Sequence, residues 1–328
     1  MTQAIDESVL QGGGWSLPAR PVPPPVLAKS WQLTAHERLD WAYRLSPRLT
    51  IDEQSRLLFL SDCHRGDNGR TDIFKTNKAL FMHLLNDHFE RGYHYVEVGD
   101  GDELWQNRSF ATIYRAHRDV FELLHRFQRQ ERLYLLQGNH DSQAGLFDPL
   151  EKGGLPTYQG LILTYAPANL ELFVTHGHQA VPDADRTWWL SRGTARTVWK
   201  WLQYVGFLTW QHVNAPKPDL PEPHYLAALP RWLSYWLLHS TRNLEQTIRD
   251  WAAERRRWVI SGHTHLVACS RPGEPAYLNT GSCVNPGFIT GVEIAEGMTR
   301  LLMWSAAGNG RYRQTTLRTL PLTAAKSD

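Results

Sequence analysis

Five hydrophobic runs in this 328-residue chain each stop at a cluster of side chains able to hold a cation. The run 95–98 stops at Gly99-Asp100, with Gly101, Asp102, Glu103, Leu104 and Trp105 following. The run 56–60 stops at Ser61-Asp62-Cys63-His64, and 132–136 stops just short of Gly138-Asn139-His140-Asp141. The run 171–174 leads into Thr175-His176-Gly177-His178, and 257–260 into Ser261-Gly262-His263-Thr264-His265. A buried strand that ends this way delivers polar groups to the carboxyl end of a sheet, where α/β proteins place their ligands. One such ending is usually a turn. Five of them demand a sheet whose strand ends converge on one edge.

The segments between these runs supply the helices. Thr34 with Glu37 three residues on is a capping box opening a helix toward Leu45. Residues 75–91 carry helical periodicity through Leu80, Leu84 and Phe89, closed by Gly92. Residues 110–130 form a second helix, and 277–317 are short strands and turns. The order strand, helix, strand, helix, strand, then antiparallel strands predicts an α/β fold with at least one mixed sheet.

Residues 185–258 interrupt this series and hold nine of the fourteen Trp. Val198, Trp201, Leu202 and Val205 share one helical face, and Arg192, Arg196 and Lys200 share another. Proline-rich residues 214–223 break that helix. Leu237, Leu244, Ile248 and Trp251 mark a second one. The segment is predicted to be an inserted helical cap. Residues 1–30 are a Gly- and Pro-rich flexible tail, 31–184 and 259–320 the core, and 321–328 a second tail.

A formal net charge of +2 argues against a duplex nucleic-acid partner, because tracking phosphates needs a basic groove. Cys63, Cys269 and Cys283 fit neither a disulfide framework nor a thiolate metal site, which points to a reducing compartment. No apolar run approaches the ~20 residues that span a bilayer. The N-terminus has no basic start followed by an apolar core. The expected location is cytoplasmic, with peripheral membrane contact through the cap.

Fifteen His suit metal chemistry. Asp62 and His64 are two apart, and in an extended segment residues i and i+2 point the same way. His263 and His265 repeat the spacing. With Asp100, Asn139 and His176 they make seven O/N donors at five strand ends. Asp100 is expected to bridge two cations, with three further ligands for each. The absence of thiolate favours a hydrolytic centre over a structural zinc site. Two divalent cations roughly 3.5–4 Å apart clamp a phosphoryl group and acidify a bound water.

The clusters resemble the blocks of the calcineurin-like metallophosphoesterases: D-x-H at Asp62-Cys63-His64, G-D-x-x-D at Gly99-Asp100 with Glu103, G-N-H-D at Gly138-Asn139-His140-Asp141, a lone His at His176, and G-H-x-H at Gly262-His263-Thr264-His265. The resemblance implies two packed mixed β-sheets flanked by helices. It implies one metal on Asp62, His64, Asp100 and His265, and the other on Asp100, Asn139, His176 and His263. It implies His140 as the catalytic histidine, oriented by Glu103 where the family has Asp. Two divalent ions are implied, Mn2+ foremost, with Fe, Zn and Mg as alternatives. Arg65, His178, Arg192 and Arg196 are taken as substrate contacts. An insertion at this place, with the Gly99-Asp100-x-x-Glu103 variant, is similar to the UDP-diacylglucosamine pyrophosphatases, which implies an amphipathic or lipid-linked phosphoester.

The reading is therefore a di-metal phosphohydrolase acting on a phosphodiester, pyrophosphate or monoester with an apolar part. The alternatives are a nucleotide phosphodiesterase or nuclease, and a non-catalytic scaffold on the same fold. A scaffold would be expected to lose ligands or the catalytic histidine, and this chain keeps all of them.

Overall fold

A computed structural model describes residues 33–107, 109–141, 151–181, 231–270, 276–308 and 311–322. The tail predicted for 1–30 and residues 185–230 of the predicted cap, including Arg192 and Arg196, lie outside the described residues.

Helix α1 (Ala35–Arg44) opens on the capping box anticipated from Thr34 and Glu37. Strands β1 (Arg48–Ile51) and β2 (Leu57–Leu60) follow, then a short 3-10 turn (Ile73–Thr76) and α2 (Lys78–Glu90). Next come β3 (His94–Glu97), α3 (Phe110–Ala116), α4 (Arg118–Arg129) and β4 (Leu133–Leu136). The single helix predicted over 110–130 is two. At His117 the backbone leaves helical geometry (φ −124°, ψ 36°), and its ring turns inward, Nε2 2.8 Å from Oδ2 of buried Asp72.

Strands β5 (Glu151–Lys152), β6 (Leu155–Tyr158), β7 (Leu161–Tyr165) and β8 (Leu170–Val174) lead to helix α5 (Arg231–Glu254) and β9 (Trp258–Ser261). The chain ends in β10 (Val267–Cys269), β11 (Tyr277–Thr280), β12 (Phe288–Ala295), β13 (Met298–Gly308) and β14 (Arg311–Pro321). The short strands predicted for this end are instead a long meander. Pairing runs to Pro321 opposite Met298, and Leu322 is buried, so the predicted terminal tail begins inside the sheet.

The strands form a six-stranded sheet, β1-β7-β8-β9-β11-β10, and an eight-stranded sheet, β14-β13-β12-β2-β3-β4-β6-β5. Both are mixed. Strands β2, β3 and β4 run parallel in one, and β8 and β9 run parallel in the other. Strand alternation explains the layers. Leu57 and Phe59 of β2 face the other sheet, meeting Leu163, Leu172, Val174 and Ile260, while Leu58 and Leu60 face the α2–α4 layer with Phe81, Leu84 and Phe121. The order is thus helices, sheet, sheet, helices.

The outermost layer differs from an insertion that stands clear of the core. Leu244, Ile248 and Trp251 of α5 are buried with Leu39, Phe173, Val259 and Tyr277, so the second half of this helix covers the six-stranded sheet. Among the described residues no helix is long and apolar enough to cross a membrane.

Candidate metal centre

The parallel runs β2-β3-β4 and β8-β9 bring all five polar strand ends to one edge. Backbone pairing continues past the strands and fixes the turns against each other: Asp62 N donates to Gly99 O at 3.1 Å, His64 N to Asp100 O at 2.9 Å, and Gly262 N to His176 O at 3.1 Å. The i, i+2 pairs converge for a reason other than strand alternation. Strand β2 ends at Leu60, and Asp62 and His64 lie at φ 53° and 48°. Asp100 (51°), His263 (72°) and His265 (58°) share this left-handed conformation. It costs most side chains about 1–3 kcal/mol, and Asp and His are among the residues that tolerate it best.

Asp100 sits at the centre. Its Oδ2 lies 3.1 Å from Nε2 of His176 and 3.8 Å from Nε2 of His64, and its Oδ1 accepts the backbone N–H of His140 at 2.8 Å. On one side, Asp62 Oδ1 lies 3.1 Å from His265 Nε2 and 3.8 Å from His64 Nε2, and the two imidazole nitrogens are 3.1 Å apart. On the other, His263 Nδ1 lies 3.2 Å from His176 Nε2. Asp62, His64 and His265, and separately Asp100, His176 and His263, can each offer ligand atoms to a common point.

Two glycines make the approach feasible. A Cβ on Gly99 (φ 80°) would lie 2.5 Å from the His176 ring, and one on Gly138 would overlap the Asp100 carboxylate.

The donors are set for a cation. His176 Nδ1 is 2.8 Å from Val98 O and His64 Nδ1 is 3.0 Å from Glu103 Oε2, so each ring spends Nδ1 on an acceptor and leaves its Nε2 lone pair for a metal. Asn139 Oδ1 is a buried acceptor with no hydrogen-bond partner among the described residues, and Asp62 Oδ1 has only the imidazoles of His265 and His64 near it. Buried acceptors are almost always satisfied, so both oxygens suit a bound cation. Six of the seven predicted ligands thus fall into two groups that could each hold a cation, and Asn139 adds a buried acceptor.

Electrostatics follow the same logic. Burial drives the Asp100 carboxyl up, but the His176 and His140 charges outweigh it and hold it well below the usual range. Burial likewise opposes ionisation of Glu103, yet His140 and His64 draw it down to about 2. His176 loses basicity through burial and regains more from Asp100, reaching about 9. Burial and the neighbouring His176 push His263 down to about 3.

Glu103 lies between two of the rings. Its Oε1 lies 2.9 Å from Nδ1 of His140, while its Oε2 also serves His64. The extra methylene relative to Asp spans both imidazoles.

Arg65 is a correction. It is fully buried and faces away from the site, paired with both oxygens of Glu97 at 2.6 and 2.8 Å and with Asp102 at 2.8 Å. Asp102, which reads as a turn residue in sequence, is also fully buried, and Lys152 joins it at 2.9 Å and Asp141 at 2.6 Å. Asp141 further accepts from the backbone N–H of Gly138 and Asp102, at 2.9 and 2.8 Å, tying the third cluster to the second. The signal for this network was Glu97, a charge inside the buried run 95–98, which needs a buried cation. His178 is 2% exposed, its ring centroid 5.4 Å from that of His176, and it offers little surface to a substrate.

Two further contacts were not foreseen. Trp105 stacks on His140, with centroids 4.1 Å apart and planes inclined by 23°. Thr264, between His263 and His265, donates to Glu245 of α5 at 3.1 Å.

A model of the calcineurin-like phosphoesterase family matches residues 55–267. No curated protein matches the sequence. Solved structures that are similar include a predicted phosphoesterase from Streptococcus pneumoniae TIGR4 (14% identity, 80% of this chain and 97% of that one, TM-score 0.34). They also include Vacuolar Protein Sorting 29 from Cryptosporidium parvum (11%, 81% and 98%, 0.39) and a cold-active protein-tyrosine phosphatase from a Shewanella species (15%, 82% and 82%, 0.34).

Proposed function

The chain belongs to the calcineurin-like phosphoesterase family, and from that premise we propose that it is a hydrolase that cleaves a phosphoester with two divalent cations. The observation that supports this reading is the pair of donor clusters, Asp62 with His64 and His265 and Asp100 with His176 and His263, with His140 beside them and its Nδ1 against Glu103. Asp62, His64, Asp100 and His265 would hold one ion, and Asp100, Asn139, His176 and His263 the other. Bound there, such ions acidify water and neutralise charge on a phosphoryl group. Mn2+ is the first candidate on the family resemblance, and the imidazole-rich N/O donor set also suits Zn or Fe.

The protein's own groups account for the rest. Glu103, ionised, accepts the Nδ1 proton of His140 and so leaves Nε2 as the nitrogen that exchanges a proton with the substrate. His140, 21% exposed, is the group placed to contact a phosphoryl oxygen or to protonate a departing one. The buried Arg65–Glu97–Asp102–Lys152–Asp141 network holds the turns that carry Asp100 and Asn139 in register.

The substrate is proposed to have an apolar part, on the strength of the Trp in 185–230. The test is turnover of chromogenic mono- and diesters by metal-stripped protein reloaded with Mn2+, Zn2+, Fe2+ or Mg2+. Hydrolysis restored by one of these, and lost again with chelator, supports the reading. A protein that binds two ions yet hydrolyses no phosphoester sinks it. For the apolar part, residues 185–230 are replaced by a short linker, leaving the core residues of α5 in place. An unchanged ratio of kcat/KM between long-chain and short substrates removes the amphipathic proposal.

A further inference from the structure

His140 is confined on three sides. Nδ1 lies 2.9 and 3.0 Å from the two oxygens of Glu103. The His64 ring meets it edge-on, with centroids 4.7 Å apart at 85°. Trp105 covers one face at 4.1 Å. Glu103 and Trp105 come from one short turn that is itself pinned to His140, since Leu104 N donates to His140 O at 3.1 Å. The turn is braced again by Asn107, whose backbone and side-chain N–H groups donate to Glu103 O at 3.1 and 2.9 Å. A single hydrogen bond at Nδ1 fixes where the ring is attached but leaves it free to tilt about that bond. A flat indole against its face removes the tilt.

We propose that Trp105 is a positioning residue for His140, setting the plane of the imidazole so that Nε2 is aimed at the oxygen leaving phosphorus. The proposal rests on the phosphoester-hydrolase reading above. In the step concerned, the bond from phosphorus to the leaving oxygen breaks and its electron pair stays on that oxygen. The Nε2 proton passes to the same oxygen, the oxygen of a water forms the new bond to phosphorus and sheds one proton to solvent, and the neutral imidazole later recovers a proton from solvent. Aim matters most when the departing oxygen is strongly basic, because an alkoxide leaves only if protonated while a nitrophenolate leaves unaided.

The experiment compares Trp105→Leu, Trp105→Phe, His140→Ala and the double variant Trp105→Leu/His140→Ala on two diesters that differ only in the leaving group, p-nitrophenolate or a simple alkoxide. Trp105→Leu is expected to lower kcat by ~10–100-fold with the alkoxide and by under ~3-fold with p-nitrophenolate, with KM and metal content unchanged. Trp105→Phe, which still offers a ring, is expected to recover activity to within ~3-fold. On the His140→Ala background the Leu substitution should cost nothing further, because a residue that acts through another has no effect once that other is gone. Equal losses with both leaving groups, a change confined to KM, or the full loss persisting without His140 would each overturn the proposal and make Trp105 a substrate contact. If the parent cleaves neither diester, the diesterase form of the hydrolase reading fails, and crystal structures of parent and Trp105→Leu decide the positioning separately. A His140 ring turned away from its parent orientation upholds it, and an unmoved ring overturns it.

Discussion

The carboxylate of Glu103 lies between two imidazoles, with Oε2 3.0 Å from Nδ1 of His64 and Oε1 2.9 Å from Nδ1 of His140. One side chain therefore orients a metal ligand and the neighbouring acid–base candidate together. Glu103→Gln keeps the shape but presents an N–H2 to one of the two rings. Metal affinity is expected to fall by ~10–100-fold, the usual cost of losing a carboxylate behind a ligand histidine, and kcat at saturating metal to fall as well. Metal titration followed by kinetics checks both. A loss of kcat with metal affinity untouched would show that the His64 contact is idle.

Asp100 faces both clusters, and Asp100→Asn removes the one anion they share. Both ions are expected to bind more weakly, and turnover to vanish at metal concentrations that saturate the parent. Elemental analysis of the dialysed variant is the check. Two ions retained per chain would refute the bridging role.

Arg65→Met tests the buried network against the substrate-contact alternative. Removing the guanidinium leaves Glu97 and Asp102 short of a buried partner, and losing one member of such a pair costs about 3–5 kcal/mol. Chemical denaturation should register this. Unchanged stability with a raised KM would return Arg65 to the substrate.

Metal binding should release protons. In the metal-free protein burial opposes the charge on His176, but Asp100 raises it to about 9, and contacts to Asp62 and Glu103 raise His64 well above its usual range, so both rings are cationic at neutral pH. A metal displaces these protons, so affinity should climb with pH, the His176 share of the climb levelling off above about 9. The sign for folding is the reverse. The raised His176 value stabilises the metal-free fold fully below its ordinary value of 6.5, and this contribution is lost as pH rises through about 9. Calorimetry in buffers of different ionisation enthalpy counts the protons, and a heat independent of buffer rules them out.

Much of the site could be read from sequence because each ligand follows an apolar run. Those runs are strands β2, β3, β4, β8 and β9, and their parallel pairing brings the endings together. What escaped the sequence was set by three-dimensional partners. Asp102 looks like a turn until Arg65 and Lys152 close on it. His117 lies inside a helical pattern, and its buried contact with Asp72 splits the helix. Strand β7 (Leu161–Tyr165) has no chemistry at its end to mark it, although it pairs with both β1 and β8. The periodicity of Leu244, Ile248 and Trp251 was plain, but their role in covering a sheet depended on where that sheet lies.

The left-handed backbone at Asp62, His64, Asp100, His263 and His265 has an evolutionary consequence. Each of these residues occupies a conformation that glycine would adopt without penalty, and each is held there for what its side chain binds. Selection for metal and selection for thermal robustness therefore pull in opposite directions at the same five positions. Losing the metal would not free these positions at once, since His265, though partly exposed, sets its Nε2 3.1 Å from the fully buried Asp62 carboxylate. In the metal-free chain His265→Gly relaxes a left-handed residue but leaves buried Asp62 without that imidazole. The loss of a buried charge's partner outweighs the backbone gain, so the variant should melt below the metal-free parent; a higher melting point would show the backbone cost to be the larger of the two.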